Sequence, residues 1–195
     1  MTAAAKKPRY DLESLVDVAI RVFAERGYDG TTVDDIANAA GVAKSSLYHH
    51  VENKAELLRL GVDRAMARLQ EMERNEILVG KTAMERLRRV TRAAIRMTIE
   101  REPNLMLIRR LPMMIATAPW ALKRYVKYEA LMGRYVADAI EEGIVRTDVD
   151  PLLLSRFFWF STTGIADIQR LEPATSVDEL TELALRLLLD GAGRR

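Results

Sequence analysis

The 195-residue chain contains no cysteine and only two histidines, the neighbours His49 and His50. A disulfide framework, a thiolate zinc site and thiol catalysis are thereby excluded. Adjacent side chains on a helix diverge by about 100°, and no third histidine exists to complete a set, so no metal is expected. Charge of one sign is scarce too: 30 Lys and Arg against 28 Asp and Glu leave a net +2. Any case for polyanion binding must therefore be local rather than rest on a global field. No apolar run approaches the roughly 20 residues needed to span a bilayer; the longest charge-free stretches are residues 111–122 and 157–166. Residues 1–10 carry Lys6, Lys7 and Arg9 without an apolar segment, which reads as a basic arm and not a secretory signal. A cytoplasmic protein without a membrane partner is expected. G-x-x-x-x-G-K, G-x-G-x-x-G, G-x-S-x-G and H-E-x-x-H are all missing, so neither an enzyme nor a cofactor is expected.

What the chain has is helical periodicity from end to end, with 49% hydrophobic residues and no run of alternating β-branched ones. The fold class is all-α. Helices are expected over residues 10–26, from about 33 to the turn Gly41-Val42-Ala43, over 44–50, and over 54–78 with Gly80 as stop. Further helices follow over 82–101, 105–110 and 119–142. Asp150 and Pro151 give a cap-plus-first-turn signal for a helix over 151–171, and Ser176 with Glu179 forms a capping box for a last helix to residue 190.

Residues 31–54, TTVDDIANAAGVAKSSLYHHVENK, carry the most information. Thr32 can N-cap a helix with Asp35 closing a capping-box-like pair. Val33, Ile36, Ala37 and Ala40 make one apolar face, and Gly41 can take the left-handed conformation that ends it. On the second helix Leu47, with Val51 and Val42, turns inward. Lys44, Ser45, Ser46, Tyr48, His49 and His50 are left outside, and no acidic residue lies between Asp35 and Glu52. Such a surface meets a phosphate backbone without like-charge repulsion. Asn53 caps a further helix whose first residue, Lys54, is placed to reach a phosphate.

Two phrases in this region, FAERGYDGTT at residues 23–32 and IANAAGVAKSSLYHHVENK at residues 36–54, resemble the TetR-type transcriptional regulators. Val51 stands where phenylalanine is commoner, an apolar exchange. The resemblance implies an N-terminal three-helix helix-turn-helix DNA-binding domain, residues 1–53. This is joined to a larger helical effector-binding and dimerisation domain, residues 54–195. It further implies that Lys44, Ser45, Ser46 and His49 meet base edges, whereas Thr32, Tyr48, His50 and Lys54 serve mainly phosphates. Lysine can donate to guanine O6 and N7, which makes Lys44 the foremost base reader.

The segment Pro151–Leu171 is apolar on nearly every side and needs cover all round, from the chain's own core and from a second subunit. Gly164 and Ala166 allow close approach there. The resemblance implies a homodimer through the last two helices, which suits a palindromic double-stranded operator. The middle helices hold methionines and aromatics interrupted by three prolines, the adaptable lining of a cavity. The resemblance places an effector pocket there, for which Met97, Met106, Arg109, Met113, Trp120, Tyr128, Phe157 and Phe160 are the candidates. The effector is expected to be apolar or amphipathic. Residues 61–120 hold twelve basic against seven acidic residues. Arg88, Arg92 and Arg96 share a helix face, either solvated and paired with Glu85, Glu100 and other carboxylates or available to an anionic effector. The expected function is a homodimeric repressor released from its operator by a small molecule. The alternative is a helical interaction module or structural dimer without DNA-binding activity.

Overall fold

A computed structural model describes residues 11–114 and 118–192, and every regular element in that span is helical. The basic arm Lys6, Lys7 and Arg9 lies outside the described residues, as does Tyr10, the expected start of the first helix. The elements are α1 (Leu12–Arg26), α2 (Val33–Ala40), α3 (Lys44–Tyr48), α4 (Lys54–Met72), α5 (Ala83–Ile99), α6 (Pro103–Arg110), α7 (Pro119–Glu141), α8 (Pro151–Leu171) and α9 (Val177–Ala192). A π turn, Glu73–Ile77, extends α4, and a 3-10 turn, Leu111–Met114, extends α6.

Most helix starts are written in short polar caps. Asp11 accepts from the Ser14 amide at 2.9 Å, Thr82 from Glu85 at 3.1 Å and Asp150 from Leu153 at 2.7 Å. Ser176 and Glu179 close a reciprocal box at the start of α9. Each such cap satisfies an otherwise orphaned amide and contributes about 1 kcal/mol. At α6, Glu102 caps the Leu105 amide one residue before Pro103, so the helix starts two residues earlier than its apolar pattern suggests.

Two apolar cores organise the chain. The first joins α1 through α4 with α6 and the start of α7, around Phe23, Ile36, Leu47, Leu57, Leu58, Leu107 and Ile108. Gly61 on α4 lets that helix press on α1, since a Cβ there would meet Ile20 Cγ1 at 3.3 Å. Packing is thus continuous across residues 53 and 54. The second core joins α5, α7, α8 and α9 around Leu87, Ile95, Tyr135, Val145, Phe158, Leu180 and Leu185.

In the π turn an extra residue per turn rotates the helix face and directs Glu73 inward, where it is 6% exposed. It accepts a 2.6 Å hydrogen bond from the Tyr135 hydroxyl. Burial, reinforced by this carboxylate, pushes the Tyr135 phenol well above its usual range. The α5 arginines pair with carboxylates on neighbouring elements. Arg88 bonds Glu182 at 2.8 Å, Arg92 bonds Asp178, Arg96 bonds Glu76 at 2.9 Å and Arg86 reaches Asp138 at 3.2 Å. Of the two partners expected by number, Glu85 accepts instead from the amide of Lys81. The face is an ionic seam between α5 and its neighbours.

Candidate nucleic-acid interface and buried cavity

The helix-turn-helix is built on a cap and a turn. The Thr32 hydroxyl accepts from the Asp35 amide at 3.1 Å, while the Asp35 carboxylate accepts from the Thr32 amide at 2.8 Å and hydroxyl at 2.6 Å. These bonds hold the Asp35 carboxyl below its usual range. Gly41 closes α2 at φ 68°, a left-handed value that carries little penalty only for glycine. α3 is then anchored by Leu47, which is fully buried, while Lys44, Ser45, Ser46, Tyr48, His49 and His50 are all exposed. The helix proper ends at Tyr48, two residues sooner than expected. There the chain tightens, and the His50 amide donates to Leu47 O at 2.9 Å.

Two placements, those of Lys44 and Lys54, could not be seen in the sequence. Lys44 Nζ donates to Asp34 Oδ2 at 2.9 Å, so an acidic group does lie beside the polar face, supplied by the preceding helix. That pair raises the Lys44 ammonium above the ordinary lysine range. It is solvent-exposed on both sides, worth little, and easily exchanged for another acceptor. Thr32 is exposed but its hydroxyl is committed to the cap. Lys54 donates to Tyr28 O and Thr31 O, each at 2.9 Å, with its ammonium 4.1 Å from the Tyr28 ring centroid. Two of its three protons thereby tie the start of α4 to the α1–α2 turn.

α6 joins this unit to the rest of the chain. Arg110 Nε donates to Ala24 O at 2.7 Å and its Nη2 to Glu25 O at 3.1 Å. The guanidinium therefore caps the carbonyl end of α1, where the helix dipole favours a cation. Its neighbour Arg109 turns the other way, into a cavity of about 410 Å³ between α5, α6, α7 and α8. Leu105, Pro112, Met113, Met132, Trp159 and Phe160 supply the apolar wall; Tyr125, Tyr128, Glu129, Ser155 and Arg156 supply polar groups. Met113 and Phe160 are 81% and 80% exposed and mark the mouth.

Of the eight expected pocket residues, Arg109, Met113, Tyr128 and Phe160 meet in this cavity. Met97 lines a separate, polar cleft with Arg68, Arg96 and Asn104. Met106 and Trp120 pack on the first core. Phe157 faces a groove of about 460 Å³ formed with α9, beside Ile168, Leu183 and Leu187. Glu129 and Arg156 escape the sequence because the α7–α8 pairing that joins them carries no apolar signature.

The side of α8 turned away from the second core is bare. Phe157 is 78% exposed, Leu171 81% and, on α9, Leu187 69%. Phe157 and Leu187 share one apolar groove with Ile168 and Leu183, a kind of surface rarely left uncovered. Ala166 lies outside the residues whose side chains are described. Among the described residues no helix is long and apolar enough to cross a membrane.

Residues 15–60 match the family model described as bacterial regulatory proteins, tetR family. The chain is 35% identical to SCO3833 of Streptomyces coelicolor A3, a member of the TetR transcriptional regulator family. That likeness covers 98% of this chain and 94% of SCO3833, with a TM-score of 0.68. A 51-residue stretch is 47% identical to IcaR, the negative transcriptional regulator of the biofilm operon in Staphylococcus epidermidis. It spans 26% of this chain and only 28% of IcaR. AibR, seen with isovaleryl coenzyme A and operator DNA, has the same fold at 23% identity, with coverage of 90% and 96% and a TM-score of 0.73.

Proposed function

The chain belongs to the TetR family of transcriptional regulators, and from that premise we propose that it is a homodimeric repressor released from a palindromic operator by a small molecule. The observation that carries this reading is the α3 face: six exposed hydrogen-bonding residues, Lys44, Ser45, Ser46, Tyr48, His49 and His50, around one buried anchor, Leu47. A helical interaction module has no use for such a face. The division of labour is residues 1–53 for DNA and residues 54–195 for effector and dimer.

Lys44 is the foremost base reader, assisted by Ser45, Ser46 and His49, while Tyr48 and His50 serve the phosphates. Thr32 and Lys54 hold the unit's shape, and their contribution to phosphate contact runs through the amides and the turn they fix. One copy presents few positive groups, so affinity depends on two copies whose recognition helices lie about 34–36 Å apart. The bare face of Phe157, Leu171 and Leu187 supports a second copy packed on α8 and α9. The negative regulator IcaR supports repression as the sign of control, and AibR supports a plan in which one chain has both a ligand site and an operator site.

Release needs a ligand with different affinity for the DNA-competent and DNA-incompetent states. The route is short. Arg109 faces the cavity and Arg110 grips α1, so a shift of α6 on ligand binding is passed through α1 to α2 and α3, with α4 moving alongside. Selection of bound DNA from a random pool, with sedimentation of the complex, tests the reading. A palindromic site bound by two chains is the expected result; no enrichment of any sequence, or binding by one chain alone, refutes it.

A further inference from the structure

Arg109 stands apart from the arginines around it. Arg86, Arg88, Arg92 and Arg96 have carboxylate partners, and Arg110 has two helix-end carbonyls. Arg109 is largely buried. Among the described residues it donates to neutral acceptors alone: Thr98 Oγ1 at 3.0 Å, Thr162 Oγ1 at 3.4 Å and Trp159 O at 3.5 Å. Among the described residues no carboxylate lies within ion-pair distance of it. Burial draws its basicity down, but a guanidinium cannot shed its proton in a protein. The cavity therefore holds a permanent cation with no counter-charge among the described residues, a costly arrangement.

The other charges lining the cavity cancel. Arg156 Nη2 donates to Glu129 Oε2 at 2.8 Å and Nε to Oε1 at 3.1 Å, and the Tyr125 hydroxyl also bonds Glu129. What remains is one positive charge, with the Tyr128 phenol beside it. Burial pushes that phenol up to about 12, so it stays protonated and can donate. A further donor in the same wall, the Trp159 indole N–H, is buried with no acceptor among the described residues. The lining thus carries more donors than acceptors, against an apolar floor of Leu105, Met132 and Trp159.

We propose that the cavity takes an amphipathic monocarboxylate, its carboxylate seated on the Arg109 fork and its apolar body against Met113, Met132, Trp159 and Phe160. The assignment rests on the reading of this cavity as the effector site. A planar carboxylate matches the guanidinium in bidentate fashion, and the ligand supplies a counter-ion that the described residues do not. At the packing density of protein interiors, about 410 Å³ accommodates a body on the order of 15–20 non-hydrogen atoms. A coenzyme A thioester exceeds that, and its several phosphates would need cations that are already paired on α5.

The test titrates the full chain with hexanoate, decanoate and tetradecanoate, the primary alcohols of the same lengths, and decanoyl coenzyme A, followed by calorimetry. At the best length the acid should bind at least tenfold more tightly than its alcohol. Arg109→Met should bring the two to parity, and Arg109→Lys should restore part of the preference. Without ligand, Arg109→Met should melt no lower than the wild type, because it removes an uncompensated charge. The proposal is overturned if no acid binds, if the alcohol binds as well, if the preference survives Arg109→Met, or if decanoyl coenzyme A is preferred to decanoate. A fall in ligand-free melting of Arg109→Met also overturns it, since the guanidinium would then be a structural tie to Thr98 and Thr162. Operator binding measured in parallel separates the two readings. Acid bound with operator retained defeats the release mechanism alone, whereas release by neutral compounds with no acid bound defeats the carboxylate assignment alone.

Discussion

Arg110→Met should separate ligand sensing from DNA binding. The substitution keeps a long apolar stem and removes the two charge-assisted hydrogen bonds to Ala24 O and Glu25 O. A buried bond to a charged group contributes roughly 1.5–3 kcal/mol, and an exposed one much less because water replaces it. The Ala24 bond is part-buried and the Glu25 bond exposed, so the loss is about 2 kcal/mol in all. For a chain of this size that lowers Tm by about 4–8 °C. α1 remains held on α4 and α6 by Leu15, Ile20 and Phe23, so operator affinity without ligand should change by less than about threefold. Release by ligand should be blunted, because α6 can then move without drawing α1 with it. Operator binding followed by fluorescence anisotropy, with and without a saturating carboxylate, reads this directly. A variant that melts like the wild type, or that releases its operator at the same ligand concentration, refutes the assignment of Arg110 as the link.

Phe157→Glu places a charge on the bare α8 face and should turn a sedimenting dimer into a monomer, with operator affinity falling at least a hundredfold; an unchanged dimer would mean the partner copy packs elsewhere. Lys44→Ala should cost about 1–3 kcal/mol on the selected operator and relax the sequence requirement at one base pair per half-site, which repeated selection with the variant would reveal. Thr32→Val should cost about 1 kcal/mol in urea unfolding through loss of the N-terminal cap. Asp35 bears on pH. Its folded carboxyl is depressed by the Thr32 bonds, so its contribution is complete above the unfolded value of about 4 and is lost as pH falls through the folded one. The difference in urea midpoint between wild type and Asp35→Asn should therefore narrow on acidification below that value, and a constant difference would refute it.

What the sequence shows well is whatever is decided within a turn or two of chain. The Thr32–Asp35 and Ser176–Glu179 boxes, the Asp150 cap, the glycine stop at 41 and the full span of α8 are local, and each is where its residue types require. The exposure of the α3 side chains follows from the same logic, since a five-residue helix anchored by Leu47 must turn its other faces out. Contacts made over long sequence separation are hidden. Phe157 and Phe160 lie about 60° apart on one helix, yet one faces the groove with α9 and the other the cavity with α7, because α8 runs between those helices. Nothing near Glu73 predicts its burial; the reason is Tyr135, 62 residues away. The pairing of Lys54 with the carbonyls of Tyr28 and Thr31 is equally remote.

The ionic seam that joins α5 to α9 bears on how salt titrations of this regulator are to be interpreted. Arg88–Glu182 and Arg92–Asp178 are both solvent-exposed, so added electrolyte weakens them along with any contact to phosphate. Since α9 is half of the proposed dimer face, the slope of operator affinity against salt would combine ions released from DNA with a loosening of the protein's own assembly. Its absolute value would overstate the number of phosphates neutralised. Only the difference in slope between the wild type and a variant on α3, where the seam is common to both, counts contacts to the nucleic acid.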